Sequence, residues 1–329
     1  MKLNRKAAVI LALTLVMTLV PLEAFAETPT TGNGQPAQTQ QEIKNGVKVE
    51  NGAVHYYENG NLIKVSGWKT INGAKYYGFG NGNLANKPVN IKTTYKVTKK
   101  VKVKSKKKKK KYKKVTTTVT SYPLYMFGAD GKLIVKNGIY YYNGNEYYGL
   151  GGGTLKTGWA AFKENKKDVA AYFDPQTGAM QKGGKVKYLA VPASGRLGEA
   201  YALGVKKLDK TKWTLKQAYK NSYKLKYSGR WWRQKTAEQY AIKGFKKGKG
   251  NCYVMASTFY IQAKLLGYDV HQVKGKVAHI YPHSWTVINH DGKEWVYDPN
   301  FRNETKRNGW KIWYGKKGTW KYTNYSKMN

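Results

Sequence analysis

The chain has 329 residues, and its 60 Lys and Arg outnumber its 18 Asp and Glu, so its formal net charge is +42. A chain this basic needs an anionic partner such as nucleic acid or a phosphate-bearing polymer. Its length is enough for two domains, and its single cysteine excludes an internal disulfide.

Residues 1–26 have the three parts of a secretory signal peptide. Basic residues precede an apolar run from Ala7 to Val20, and Ala24-Phe25-Ala26 offers a small-residue cleavage site. The alternative is an uncleaved anchor, but the run is short for a bilayer span. We therefore expect a secreted, wall-associated protein with no transmembrane anchor after cleavage. Export favours anionic cell-wall polymers, teichoic-acid-like or glycan, over nucleic acid as the partner.

Residues 27–45 are rich in Thr, Gly, Gln and Pro and lack a hydrophobic period, which indicates a disordered linker. From residue 46 to 187 the composition changes. Runs rich in Tyr and Val alternate with Asn-Gly turns, a pattern typical of β-hairpins. The recurrence of this pattern predicts an array of hairpin repeats rather than one compact sheet.

Two stretches of this region, Gly67–Tyr77 and Gly158–Phe173, each contain a Gly-Trp pair followed by twin aromatic residues, Tyr76-Tyr77 and Tyr172-Phe173. They resemble the repeats of bacterial choline-binding and glucan-binding wall proteins. That resemblance implies an all-β, solenoid-like array that binds the cell wall through its aromatic side chains. The alternative is that the aromatic side chains only form the hydrophobic spine of the hairpins. The candidate wall-binding residues are Trp68, Tyr76, Tyr77, Trp159, Tyr172 and Phe173.

A lysine-rich insertion at 91–122 separates the two repeats, and it includes an unbroken run from Lys106 to Lys111. Apolar residues alternate on both sides of the run, which predicts a long β-hairpin with a lysine-rich tip, or a disordered loop if the strands do not pair. A clamp on teichoic-acid-like polymers is one function for such a tip, and its affinity would fall with salt. The other interpretation is a solvated spacer.

Residues 188–329 have a mixed pattern that predicts an α+β domain. Helical spacing of apolar residues is followed by short β-rich runs, and Asn289–Gly292 makes a tight turn between the last two. The tryptophan-rich C-terminal stretch is expected to add strands, and we assign it no function. The predicted helices are Leu208–Tyr219, with Asp209 or Thr211 as its cap, Ala237–Phe245 and Cys252–Leu266; the predicted strands are Asp269–Val273, Ser284–Ile288 and Glu294–Tyr297.

Three residues of this domain have the chemistry and the order of a cysteine acyl-transfer site. Cys252 begins a helix, where backbone amides and the positive end of the dipole favour a thiolate and a developing oxyanion. A small buried core residue is the alternative for a lone cysteine. His283 begins one strand and Asp298 follows its hairpin neighbour, so the two side chains should hydrogen-bond. A thiol, an imidazole and an orienting carboxylate suffice for nucleophilic catalysis.

No cofactor or metal is expected in this domain. The remaining histidines, His271, His279 and His290, match no tight ligand spacing. The lone cysteine is better used as the nucleophile than as a metal ligand.

The run from Cys252 to Gly267, the triplet His283-Ser284-Trp285 and the triplet Tyr297-Asp298-Pro299 resemble the transglutaminase-like superfamily. This resemblance implies a papain-like α+β core in which Cys252 is the nucleophile, His283 the general base and then acid, and Asp298 the orienting residue. It implies a cysteine acyltransferase that attacks glutamine or peptide carbonyls through a thioester. A peptidase or amidase of the same fold, and a catalytically silent wall-binding scaffold, remain open.

Overall fold

The computed structural model describes residues 43–103, 111–229, 234–278 and 281–328. The predicted signal peptide, most of the predicted linker and residues 104–110 of the lysine-rich insertion lie outside the described residues. The chain divides after Ile43, and Lys44–Asn329 forms one compact unit. Within the described ranges, no helix combines the length and the apolar character that a bilayer span requires.

The described part of residues 46–190 is built from β-strands that pair antiparallel, mostly as hairpins. The strands are β1 (Gly46–Glu50), β2 (Ala53–Glu58), β3 (Asn61–Leu62), β4 (Ser66–Ile71), β5 (Ala74–Phe79), β6 (Val89–Asn90), β7 (Thr93–Val103), β8 (Lys111–Ser121), β9 (Leu124–Tyr125), β10 (Asn137–Tyr142), β11 (Asn145–Leu150), β12 (Gly158–Glu164), β13 (Lys167–Phe173), β14 (Lys185–Val186) and β15 (Leu189–Ala190).

The Asn-Gly pairs form the tight turns of these hairpins. Asn72 and Gly73 both have positive φ angles, 47° and 78°, and they connect paired residues at the ends of β4 and β5. Asn143 and Gly144 do the same between β10 and β11. Two-residue hairpin turns need positive φ at both positions, which asparagine and glycine tolerate best. The prediction of β-hairpins is therefore confirmed at these turns.

The lysine-rich insertion contains a long hairpin. Strands β7 and β8 have 11 residues each and pair from Thr93↔Ser121 to Val103↔Lys111. The short pair β6–β9 closes the base of the insertion. Of the two predicted forms, the structure shows the hairpin, and the tip at 104–110 lies outside the described residues.

The described part of residues 199–328 combines helices with one four-stranded antiparallel sheet, in the order β20-β19-β18-β21. A short parallel pair, β16–β17, precedes the central helix α4. The elements are α1 (Glu199–Lys210), α2 (Leu215–Tyr223), β16 (Lys226–Tyr227), α3 (Ala237–Lys247), β17 (Lys249–Gly250), α4 (Cys252–Leu265), β18 (Asp269–Val277), β19 (Tyr281–His290), β20 (Lys293–Tyr297), α5 (Pro299–Thr305) and β21 (Tyr322–Lys327).

The single helix predicted over 208–219 is wrong, because two helices meet there. Helix α1 ends at Lys210, and α2 begins after Thr214, whose hydroxyl accepts a hydrogen bond from the Gln217 amide. Thr214 therefore caps α2, whereas the sequence suggested Asp209 or Thr211 as the cap. Asp209 instead accepts a hydrogen bond from the Trp213 indole at 2.8 Å. Local bonds of this kind compete with continuous helix formation.

Helix α4 is the centre of the main core, and most of its residues are buried on all sides. A helix that is apolar all round belongs in the middle of a domain. It contacts α1, α2 and α3 and the sheet strands β18 and β19. The same core includes Trp159 and Ala170 from the hairpin β12–β13, and Ala170 bridges to Leu197 ahead of α1. The last long hairpin and the α+β part therefore share one core.

Candidate active site

Cys252 is the first residue of α4 and is partly exposed. Asn251 caps the helix by accepting a hydrogen bond from the Val254 amide at 3.3 Å. Gly250 is required at the approach, since a Cβ there would lie 2.4 Å from the Val254 side chain. The first amides of a helix lack intrahelical acceptors, so the Cys252 amide can donate to an oxyanion beside the sulfur.

His283 lies in β19, in register with Gly275 of β18, and only 3% of it is exposed. Aromatic rings enclose the imidazole. The edge of Trp320 meets it at a centroid distance of 4.6 Å, and Trp285 stacks on it at 5.9 Å. This packing restrains the plane of the ring and leaves little of it accessible to water.

Asp298 is fully buried and accepts three hydrogen bonds through its carboxylate. Its Oδ2 atom lies 2.7 Å from His283 Nε2 and also accepts from the Tyr322 hydroxyl at 2.9 Å. Its Oδ1 atom accepts from the Phe301 amide at 2.9 Å and so caps α5. The structure thus contains the contact between Asp298 and His283 that the spacing predicts.

The electrostatics of the site favour a protonated imidazole. Burial acts to lower the pKa of His283, but the charge of Asp298 and the hydrogen bonds to Asp298 and Cys252 outweigh it and raise the pKa to about 10. Because Asp298 occupies Nε2, Nδ1 is the ring nitrogen left for the thiol. A protonated ring can donate its second N–H, at Nδ1, toward the cleft that Cys252 lines.

Sequence reasoning missed the contribution of the C-terminal stretch to this site. Strand β21 places Tyr322 against Asp298, and Trp320, just before the strand, packs on His283. Burial first, and then the Asp298 charge, raise the pKa of Tyr322 well above its usual value, so its hydroxyl remains a donor. The alternating Trp320 and Tyr322 indicate a strand, but no sequence signal shows which buried carboxylate the tyrosine meets.

Cys252 and His283 line a cleft of about 430 Å³, and Asp298 is buried behind His283. Helix α5, which Asp298 caps, forms one wall, and the strands β18 and β19 contribute another. The described residues that line it are Tyr227, Cys252, Val277, Ala278, Tyr281, Pro282, His283, Asn300, Glu304 and Trp320.

Three of the six candidate wall-binding residues are buried, so the structure contradicts their proposed role. Tyr76 is 3% exposed, Trp159 6% and Phe173 0%. Trp159 belongs to the core shared with α4 and packs on Tyr172 at 5.1 Å, which places Tyr172 against the same core. Tyr76 and Phe173 lie in two separate clusters of the hairpin region. A polymer in solution cannot reach Tyr76, Trp159 or Phe173 without opening the cluster that holds each ring, as the spine interpretation expects.

The Trp68 side of the first repeat differs, because this ring is 44% exposed. It meets Tyr77 at 5.3 Å and Tyr125 at 5.1 Å, both edge-on. Trp68 and Tyr125 line a surface cleft of about 310 Å³ that Lys69 and Lys75 also line. Trp68 therefore remains available as a ligand contact, whereas Tyr77 is half-buried and packs against the core cluster of Phe127.

Across residues 43–103, 111–229, 234–278 and 281–328, no three metal-ligating side chains converge. His271 lies 3.9 Å from Glu294, and His290 lies beside Asp291 in the turn between β19 and β20. His279 lies outside the described residues.

No protein-family model matches this chain, and no curated protein matches it. Among solved structures, it is similar to choline-binding protein F of Streptococcus pneumoniae at 21% identity, with 47% of this chain and 41% of that chain covered and a TM-score of 0.26. CbpJ of the same species matches at 20% identity over 46% of this chain and 64% of its own, with a TM-score of 0.17.

A structure described as a TGase matches at 15% identity over 36% of this chain and 35% of its own, with a TM-score of 0.27. For comparison, this chain spans about two fifths of the length of choline-binding protein F. Choline-binding proteins and a TGase are therefore among its structural neighbours, at a similarity that assigns neither a ligand nor an activity to this chain.

Proposed function

We propose that this chain is a secreted, wall-associated cysteine acyltransferase of the transglutaminase-like type. The observation that carries the proposal is the setting of His283, which is buried, hydrogen-bonded to Asp298 through Nε2 and lines the same cleft as Cys252. That arrangement supplies a nucleophile, a proton carrier and an orienting carboxylate.

In the proposed reaction, the Cys252 thiolate attacks a glutamine carboxamide or a peptide carbonyl. A carbon–sulfur bond forms, and the oxyanion receives hydrogen bonds from amides at the start of α4. The protonated His283 then gives its proton to the departing amine or ammonia, and the carbon–nitrogen bond breaks. The product is a thioester on Cys252 with a neutral imidazole beside it.

The acceptor decides between the two enzyme classes. A primary amine converts the thioester into an isopeptide bond, whereas water gives deamidation or peptide hydrolysis. In either case His283 removes a proton from the acceptor and the thiolate leaves, which restores the starting state.

A second function, wall binding, is favoured by the charge of the hairpin region. Between Glu58 and Asp130 the sequence has 18 lysines and no acidic residue. On one face of the β7–β8 hairpin, Lys100 lies directly opposite Lys114, and Lys96 follows on the same face. Like charges opposite one another destabilise a two-stranded sheet. An anionic polymer would remove that repulsion, so we infer that this face binds phosphate-bearing wall polymers.

The catalytic proposal is tested by mass spectrometry of a glutamine-peptide library treated with the mature protein and a tagged primary amine. Incorporation of the amine that requires Cys252 supports the transferase. Cleavage or deamidation that requires Cys252 assigns the protein to the hydrolases. If Cys252→Ala retains every change, the cysteine mechanism is wrong. If the wild type changes no peptide, a wall-binding scaffold without catalysis is the remaining function.

The wall-binding proposal is tested by sedimentation of the protein with poly(glycerol phosphate) at increasing sodium chloride. The variant Lys96→Gln/Lys100→Gln/Lys114→Gln should bind more weakly and with a shallower salt dependence, because fewer counterions are released. The matched control changes the net charge equally at exposed lysines of the α2 region, Lys212, Lys216 and Lys220. Equal loss in both variants would show that only the net charge matters and that the hairpin face is no binding site.

A further inference from the structure

We propose that one face of the β7–β8 hairpin docks on an anionic lipid bilayer. This face, called the valine face below, comprises alternate cross-strand pairs of the hairpin, from Tyr95↔Val119 to Val101↔Lys113. The lysines proposed above to bind wall polymers project from the opposite face. The two proposals therefore use different side chains, and lipid binding does not depend on the acyl transfer either.

Valine and threonine are sorted between the two faces of the hairpin. Five of the seven threonines of β7 and β8 lie on the face opposite the valine face. The described valine side chains all lie on the valine face; they are Val97, Val101, Val115 and Val119. Both residue types are β-branched and favour strands, so strand propensity does not explain the sorting. Alternation of apolar and polar side chains is the pattern of a sheet with one covered face.

The valine face is open to solvent in the part of the chain that the structure describes. Tyr95 and Val101 are each 49% exposed, and Val115 is 39% exposed. None of these three side chains belongs to a core cluster of the described residues. Contiguous exposed apolar side chains mark a surface that another molecule covers. We therefore look outside the chain for the cover that the pattern requires.

The lysines on this face identify the chemistry of the covering molecule. Lys99 and Lys113 lie among the apolar side chains of the valine face, and both are exposed. A lysine buries its methylene stem against apolar groups while its ammonium stays at a polar surface. The covering molecule must therefore present hydrocarbon and negative charge side by side. An anionic bilayer does so, because its phosphate headgroups lie directly above the acyl chains.

Charge and polarity disfavour two other occupants. A second copy of the chain would place Lys99 and Lys113 against the same lysines, and each copy has a formal net charge of +42. A soluble phosphate polymer would supply the negative charge, but it has no hydrocarbon that could cover the valines. The polymer therefore fits the polar face, and the bilayer fits the valine face.

The geometry of the hairpin limits how deeply it can enter the bilayer. From Tyr95 to Val101 the strand extends about 20 Å, at about 3.3 Å per residue, so the valine face can lie flat on the membrane. Both strands of the described ribbon have one unpaired edge. These edges need hydrogen bonds from water or headgroups, which the hydrocarbon interior does not provide. The hairpin therefore binds in the interfacial layer, where tyrosine is also favoured.

The test is co-sedimentation of the mature protein with vesicles of equal parts phosphatidylcholine and phosphatidylglycerol. The decisive variant is Val101→Thr/Val115→Thr, which keeps both side chains β-branched and leaves the charge unchanged. We expect its partition onto the vesicles to be about tenfold weaker, because each new hydroxyl must leave water. The matched control Val49→Thr/Val135→Thr changes two exposed valines outside the hairpin and should bind as the wild type does.

A second measurement, binding to poly(glycerol phosphate), separates the two faces of the hairpin. The variant Val101→Thr/Val115→Thr should bind this polymer as tightly as the wild type, because the lysines of the polar face are unchanged. Retained polymer binding also shows that the variant hairpin is folded.

Four results would overturn the proposal. They are failure of the wild type to bind the vesicles, wild-type vesicle binding by Val101→Thr/Val115→Thr, equal losses of vesicle and polymer binding, and self-association of the free protein that this variant lacks. The second result would show that charge alone holds the protein on the membrane. The third would show that the substitutions act on the whole hairpin and not on a lipid contact. The fourth would assign the valine face to a second copy of the chain.

Discussion

The variant Asp298→Asn tests the role of the buried carboxylate, because every one of its partners is a donor. His283 Nε2 and the Tyr322 hydroxyl donate hydrogen bonds to Oδ2, and the Phe301 amide donates one to Oδ1. If the NH2 group of the new side chain stands in place of Oδ1, it faces the Phe301 N–H, and these two buried donors have no acceptor. If the NH2 group stands in place of Oδ2, it donates to His283, so Nε2 must act as the acceptor. The ring proton then lies on Nδ1, and the imidazole cannot accept a proton from Cys252.

The first orientation of the amide affects the free energy of unfolding, and the second affects the reaction rate. An unpaired buried donor lowers the free energy of unfolding by about 1–3 kcal/mol. Enforcing the wrong tautomer lowers the rate by up to about 10⁴-fold, the effect measured in a serine-protease triad. Because the substrate is unidentified, the assay is the rate of alkylation of Cys252 by iodoacetamide at neutral pH, read by intact mass, together with urea unfolding. Cys252 is the only cysteine, so the mass change reports this residue alone.

We expect alkylation of Asp298→Asn to be at least tenfold slower than in the wild type, because the variant lacks the charge that stabilises the imidazolium beside the sulfur. The control is Asp174→Asn. Asp174 also accepts amide hydrogen bonds, from Gln176 and Thr177, but in an exposed turn of the hairpin region. Folded Asp298→Asn that alkylates at the wild-type rate would refute the role assigned to the carboxylate.

Three further variants extend the test. Tyr322→Phe should lower the free energy of unfolding by about 1.5–3 kcal/mol, because it removes a hydrogen bond to a charged group, Asp298; an unchanged urea midpoint would contradict this. The folded pKa of His283 is about 10 against an ordinary 6.5, so protonation of this ring stabilises the fold fully below pH 6.5, and that stabilisation is lost as the pH rises through 10. The stability difference between the wild type and His283→Gln should shrink over that range, and a constant difference would argue against the raised pKa. Arg196 holds the pKa of Glu146 at about 2 against an ordinary 4.5. The free energy of unfolding lost in Arg196→Met should therefore be greatest above pH 4.5 and should diminish as the pH falls through 2. The same loss at every pH would exclude this ion pair as the cause.

Sequence patterns predict the local elements of this protein well where the pattern follows from a requirement of the local backbone. The Asn-Gly turns, the start of α4 at Cys252 and the hairpin that leads from His283 to Asp298 all follow from local backbone requirements. The prediction failed at 208–219, where Thr214 caps a new helix inside an otherwise continuous apolar pattern.

Long-range packing accounts for what the sequence could not predict. Trp159 matches the repeat motif as well as Trp68 does, yet Trp159 is buried against the α+β part and Trp68 is exposed. Tyr322 reaches Asp298 across 24 residues because β21 pairs with β18. Neither a repeat motif nor strand alternation contains the information on which distant surface a side chain will meet.

The most direct test of the central claim is whether Cys252 forms a thioester that depends on His283. The mature protein is mixed with p-nitrophenyl acetate, quenched in acid and measured by intact mass spectrometry, beside Cys252→Ala and His283→Ala. The account predicts one hydroxylamine-sensitive acetyl group on the wild type, none on Cys252→Ala and a much slower rate on His283→Ala. An adduct elsewhere in the chain, or equal rates in the wild type and His283→Ala, would contradict it.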